Sequence, residues 1–258
     1  MPKLNANITM MFQEVDFLER FEKAAKAGFK GVEYLFPYAY PKEQLAELLT
    51  QHNLVQVLHN LPAGDWNAGD RGVAVDPNRK GEFQEGVGSA IEYAKALKCP
   101  QLNCLVAMTP PNLSDDQIQG TLVENLRFAA EALGKESIKL LVEPLNSQDM
   151  KGFYLVHTQD ALDVFDKVGH PNLFLQYDIY HMQIMEGNLI KAIQTHLSRI
   201  AHLQLADVPG RHEPGTGEIN YPNVFRAIDA TDYAGWIGCE YIPAGKTEDG
   251  LDWTKPYL

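Results

Sequence analysis

A single α/β domain, folded as a (β/α)8 barrel, is what the sequence predicts, and three observations carry the prediction. Short apolar, β-branched runs alternate with longer amphipathic stretches, the pattern of parallel strands joined by helical crossovers. The runs number eight in 258 residues, and single barrels of this kind commonly have about 250 residues. No composition shift, low-complexity tract or Pro/Ser/Gly linker divides the chain, so residues 1–258 form one domain. An open doubly wound sheet obeys the same alternation, and the count of eight favours closure.

The first strand is LNANI (4–8), and the amphipathic stretch after it, EVDFLERFEKAAKAG, stops at Gly28. The second, GVEYL (31–35), is followed by YPKEQLAELLTQHN, which stops at Asn53. VQVLHN (55–60) is the third strand. The long loop LPAGDWNAGDRGVAVDPNRKG (61–81) then intervenes, and loops of such length carry function or lie over a site. Phe83, Val87, Ile91, Ala94 and Leu97 mark the next helix at spacings of three and four. QLNCLV (101–106) is the fourth strand, with Leu122, Leu126, Ala129 and Leu133 marking its helix. KLLVEP (139–144) and LFLQYD (173–178) are the fifth and sixth. IAHLQLAD (200–207) is the seventh, and INYPNVFRAI follows with Asn220 as N-cap and Pro222 in the first turn. WIGCEY (236–241) is the eighth.

Hydrophobic residues make up 45% of the chain, enough for a large core, and no apolar stretch has transmembrane length. The N-terminus has no signal-peptide pattern. Cys99, Cys104 and Cys239 are scattered and form no CxxC pair, which points away from a disulfide framework or a thiolate metal site. These features lead us to expect a cytoplasmic protein without a membrane partner; a homo-oligomer is compatible with them. The net charge of −12, with no Lys/Arg cluster, disfavours nucleic acid as a partner.

Catalytic groups of such barrels sit at the C-terminal ends of strands. Glu143, Asp178, Gln204 and Glu240 fall there, on the fifth to the eighth strands. Alternation gives them a shared direction. With Glu240 inward, Ile237 and Cys239 face the helices; with Gln204 inward, so do Leu203 and Leu205; with Glu143 inward, so do Leu140 and Val142. One acid at a strand end is ordinarily a loop-bonding residue. Three carboxylates, with an amide beside them, converge on one mouth; the three anions repel one another unless a cation or protons compensate, and all-oxygen ligands suit Mg2+ or Mn2+. His181 in the turn after Asp178 and His59 at the end of the third strand are candidates for substrate contact. His202 reads as a core histidine, and Glu33 as a buried hydrogen-bonding residue. Arg211, in the Gly-rich loop DVPGRHEPGTGEINY (207–221), is placed to clamp a carboxylate.

The segments HNLPAGDWNAGDRG, NCLV, TLVENLRFAA, QYDIYHMQIMEGN, HLQLAD, EPGTGEINY and GWIGCEY, in this order, resemble the hydroxypyruvate isomerase family. That family lies among the xylose-isomerase-like TIM barrels, with ketose 3-epimerases and 2-oxo-tetronate isomerases. The resemblance runs from NITMMF to GLDW. It implies metal positions at Glu143, Asp178, Gln204 and Glu240, an acid/base pair in Glu143 and Glu240, and substrate contacts at His181 and Arg211. Two departures stand out: Gln204 replaces a histidine of the sugar epimerases, and Ile242 stands where a lysine is expected. The implied reaction converts hydroxypyruvate to tartronate semialdehyde through an enediolate, with a small 2-oxo acid or sugar acid as substrate. Asp65, Trp66 and Arg71 of the 61–81 loop would cover the site, with Arg71 available to the substrate. A 2-oxo-tetronate or ketose is the alternative substrate. An abasic-site endonuclease would need several histidine ligands and a basic face, and a non-catalytic sugar-acid binder would have no need of two opposed glutamates.

Overall fold

In the computed structural model, which describes residues 2–258, eight parallel strands close into a barrel in chain order. The strands are β1 (Lys3–Asn7), β2 (Gly31–Glu33), β3 (Val55–Asn60), β4 (Gln101–Cys104), β5 (Lys139–Val142), β6 (Leu173–Asp178), β7 (Ile200–Leu205) and β8 (Trp236–Cys239). Closure is made by β8 pairing with β1, from Lys3 opposite Trp236 to Ala6 opposite Cys239. The third and sixth strands have the predicted limits. The others end one or two residues sooner, where the chain leaves the ladder to form the mouth. Glu143 and Glu240 therefore each stand one residue beyond a strand.

The helices are α1 (Arg20–Lys26), α2 (Lys42–Gln51), α3 (Lys80–Leu97), α4 (Asp115–Lys135), α5 (Thr158–Val168), α6 (Ile179–Met185), α7 (Leu189–His196) and α8 (Tyr221–Asp229). Two of them, α6 and α7, follow β6, and a 3-10 run over Thr247–Thr254 follows β8. The N-cap expected at Asn220 is made, and a further cap is present on α4. Asn220 accepts from the Asn223 amide, and Ser114 and Gln117 form a reciprocal capping box on α4. Each such cap contributes about 1 kcal/mol.

The main core lies between strands and helices. Leu140, Val142, Leu203, Leu205, Ile237 and Cys239 all belong to it, so the predicted outward directions hold. Inside the barrel a small apolar plug of Val57, Leu58 and Leu141, with Phe174, Ala201 and Trp236, fills the N-terminal end. Above the plug the lining turns polar and stays buried: Asn5, Asn7, Glu33, Asn103, Gln176, His202 and Gln204. In two places the register slips by one residue. Between β2 and β3 Val57 is the extra residue beside Glu33, and between β6 and β7 Ala201 is extra beside Gln176. Such bulges re-aim side chains and recur beside functional sites.

The 61–81 loop is tied down along its length. Asp70 accepts from the Asp65 amide and from Arg79, each at 2.7 Å. Gly72 passes so close to the β4 exit that a Cβ there would meet the Leu105 carbonyl oxygen at 2.0 Å. No helix is long and apolar enough to cross a membrane among the described residues.

Candidate active site

Glu143, Asp178 and Glu240 meet at the mouth with His181, their ligand atoms all within 4.8 Å of one another and all four side chains buried. Strand ends deliver the three carboxylates, and the first turn of α6 delivers His181. Asp178 also caps that helix, accepting from the Tyr180 amide at 2.8 Å, which leaves Oδ2 free to face the mouth without a hydrogen bond. Glu143 Oε2 takes a bond from Asn103 Nδ2 at 3.3 Å, and its Oε1 has no partner. Glu240 is held at both oxygens, by Asn7 Nδ2 at 3.1 Å and Arg211 Nη2 at 2.5 Å.

Arg211 comes from the loop after β7. Its backbone, at φ 56°, is pinned by its N–H donating to Asp207 O and its carbonyl accepting from the Ile242 N–H. The left-handed conformation costs an arginine roughly 1–2 kcal/mol, and here it turns the side chain back over the barrel. The guanidinium also lies 3.7 Å from Asp178 Oδ2, while its buried Nε has no partner. An unpaired N–H beside two engaged carboxylates is a donor in want of an anionic ligand.

Burial pushes the Glu143 carboxyl well above the usual carboxylate range, and the charges of Glu240 and Asp178 push it further. Burial also raises Asp178, to about 6, against the pull of Arg211. Glu240 is raised by burial while Arg211 opposes. His181 is driven well below its ordinary value by burial and by Arg211, so the ring is neutral. Its Nδ1 accepts from the Asn146 amide at 3.1 Å, an arrangement that assigns the ring proton to Nε2. Nε2 faces Asp178 Oδ2 at 3.7 Å. In this tautomer His181 donates into the mouth, the property of a substrate contact rather than of a metal ligand.

The model of the Xylose isomerase-like TIM barrel matches residues 21–257. The chain belongs to this family. Hydroxypyruvate isomerase of Escherichia coli is 54% identical over 257 residues, covering 100% of both chains. A 2-oxo-tetronate isomerase of Pectobacterium atrosepticum is 44% identical, covering 100% of this chain and 98% of its own. A solved structure from Brucella melitensis, described as an AP endonuclease of family 2, is 47% identical with a TM-score of 0.98, covering 100% of this chain and 99% of that one.

The family is often metal-dependent, and the buried acidic and histidine cluster could hold a metal ion. Two orphaned carboxylate oxygens, Asp178 Oδ2 and Glu143 Oε1, fit such an ion. Gln204, also predicted to ligate, lies buried beneath the cluster. Its Oε1 accepts from Gln176 Nε2 at 2.6 Å and its Nε2 donates to Glu33 at 2.7 Å, so its oxygen is already shared.

His59 is not brought to the mouth, which corrects the expectation of a substrate contact. The extra residue Val57 reverses the parity of β3, so Leu58 joins the inner plug and His59 turns out to an edge-on contact with Tyr38. Asn60, one residue on, lines the mouth instead. Arg71 does not line the mouth cavity either. It donates to the Trp66 and Asp70 carbonyls and lays its guanidinium 3.8 Å from the centre of the Trp66 ring. Trp66 itself borders the cavity, its other edge against Phe36. Arg71 thus supports the aromatic wall and reaches the mouth only through it. Sequence reasoning also missed Asn7 and Asn103, on β1 and β4, and Asn146 in the loop after β5, amides that no spacing or motif singles out.

Proposed function

We propose that this chain is an isomerase that interconverts hydroxypyruvate and tartronate semialdehyde by proton transfer through an enediolate. The observation that carries the reading is the pair Glu143 and Glu240, buried at one mouth, with Glu240 ion-paired to Arg211 and one Glu143 oxygen left without a partner. The 54% identity to a hydroxypyruvate isomerase over the full chain supports the substrate.

Isomerisation takes a proton from carbon 3 and returns one to carbon 2, while the hydroxyl proton on the carbon-3 oxygen is lost and the carbon-2 oxygen gains one. Glu240, ion-paired with Arg211, is the carboxylate that takes the carbon-bound proton. Glu143, which burial and neighbouring charges favour in the acid form, delivers one to carbon 2. His181 Nε2–H donates to a substrate oxygen, and Arg211 Nε holds the substrate carboxylate. Trp66 covers the mouth and limits water at the enediolate. Glu143, Asp178 and Glu240, with Gln204 as the fourth oxygen donor, would hold Mg2+ or Mn2+. Such an ion supplies Lewis-acid polarisation of substrate oxygens when bound.

A second reading has the same chemistry on a 2-oxo-tetronate, supported by the 44% identical relative. Arg211 stands between an inner cavity of about 120 Å³ and an outer cleft of about 700 Å³. A four-carbon acid would use both spaces. The family 2 endonuclease description of the Brucella melitensis structure is less well supported here, because the net charge is −12 and the mouth cluster has three carboxylates to one histidine.

The test is hydroxypyruvate in deuterated water, with and without Mg2+ or Mn2+, followed by NMR. Tartronate semialdehyde should form with the parent and not with Glu240→Gln or Glu143→Gln. Glu143→Gln should still wash deuterium into carbon 3, and Glu240→Gln should not. The reverse pattern would exchange the two roles. No product from the parent, with turnover of a 2-oxo-tetronate, would move the substrate to the second reading.

A further inference from the structure

Glu33 is a fully buried carboxylate inside the barrel, and no step of the proposed reaction uses it. It is fully enclosed and accepts four hydrogen bonds, two at each oxygen. Oε2 takes Asn5 Nδ2 at 2.8 Å and His202 Nε2 at 2.7 Å. Oε1 takes Asn7 Nδ2 at 3.1 Å and Gln204 Nε2 at 2.7 Å.

The two bonds at Oε1 lead to the two glutamates of the proposed reaction. On one side the same Asn7 Nδ2 that donates to Glu33 also donates to Glu240 Oε1 at 3.1 Å. On the other, Gln204 turns its Oε1 to Gln176 Nε2 at 2.6 Å, and the Gln176 side chain neighbours Glu143, with no hydrogen bond formed between them. A carboxylate that receives two donors at each oxygen only accepts, so it dictates the direction of every bond above it. Gln204 must offer its NH2 downward and its oxygen across; Gln176 must then offer NH2. Asn7 is fixed in the same sense, since its oxygen is taken by the Thr9 amide at 3.1 Å.

The backbone makes room for this hub. The two register slips in the barrel lie beside Glu33 and Gln176. Gly238 on β8 leaves the space the carboxylate fills, because a Cβ there would stand 2.3 Å from Glu33 Oε1 and 2.5 Å from Oε2.

We propose that Glu33 is a positioning residue that sets the mutual placement of Glu143 and Glu240 through two amide relays, Asn7 to one and Gln204–Gln176 to the other. This rests on the isomerase reading for its kinetic consequence but not for its geometry.

The experiment pairs Glu33→Gln with Asn5→Ala, which removes a donor on the oxygen that leads to neither glutamate. Carboxyl 13C NMR of glutamate-labelled protein, assigned with Glu143→Gln and Glu240→Gln, reads the geometry without substrate. Both active-site resonances should move in Glu33→Gln and stay in Asn5→Ala. With hydroxypyruvate, Glu33→Gln should lower kcat by about 10- to 100-fold with KM little changed, the scale of a misplaced reacting group. It should also change the ratio of deuterium wash-in to product, which simple loss of folded protein leaves constant. Should Glu33→Gln not fold, Gly238→Ala displaces the same carboxylate without changing its charge and should give the same signature. Unmoved resonances with an unchanged ratio, or equal disturbance by Asn5→Ala, would overturn the proposal. An inactive parent would sink the isomerase reading alone, and the NMR arm would still decide the positioning role.

Discussion

His59 makes folding stability depend on acid in a way that can be worked out from its surroundings. The ring is fully buried, edge-on to Tyr38, and neither nitrogen has a well-formed hydrogen bond among the described residues. Burial pushes its pKa from 6.5 down to about 3, with only the Ala90 backbone opposing. The unfolded chain takes up a proton near pH 6.5 while the folded chain declines it. The stability associated with neutral His59 is therefore complete above pH 6.5 and is lost as pH falls toward 3. Each pH unit in that window corresponds to about 1.4 kcal/mol, so the loss at pH 5 is about 2 kcal/mol. Other groups titrate over the same range, and a comparison with His59→Gln isolates this one. Urea unfolding of both proteins at pH 7 and pH 5 is the assay. The variant should lose about 2 kcal/mol less than the parent between the two pH values, whatever its stability at pH 7. Equal losses in the two proteins would refute the reasoning, because they would mean that His59 is protonated as readily in the fold as outside it.

Two further predictions concern the mouth. Arg211→Lys keeps a positive charge but loses the free Nε–H, and hydrogen bonds to charged groups contribute about 1.5–3 kcal/mol. The KM for hydroxypyruvate should rise about 10- to 100-fold in steady-state assays; an unchanged KM would remove Arg211 as the carboxylate clamp. Trp66, 39% exposed, is braced by Arg71 over its ring and by a tilted contact with Phe36. Trp66→Ala should raise KM and abolish any fluorescence change on substrate binding, while Arg71→Ala, losing a contact of about 0.5–1 kcal/mol, should raise KM less.

What could be read from the sequence follows from which interactions are periodic. Strand alternation and helical spacing placed the eight strands, and the same alternation put Glu143, Asp178 and Glu240 at one mouth. His59 and Asn60 show where that logic stops. Both are polar residues at the end of β3, and parity alone decides which faces the site. The slip at Val57 inverts that parity, and a β-bulge between two apolar residues leaves no mark in composition. Gln204 shows a second limit. An amide carries a donor and an acceptor of nearly equal shape, so position on a strand cannot say which of them is presented upward. That choice is made one layer lower, by whichever neighbour can only accept. Glu33 is such a neighbour, 171 residues away along the chain from Gln204. The polarity of this mouth is thus a property of the closed barrel, in which β2 is joined to β7 across the interior, and it exists only once every strand is in register.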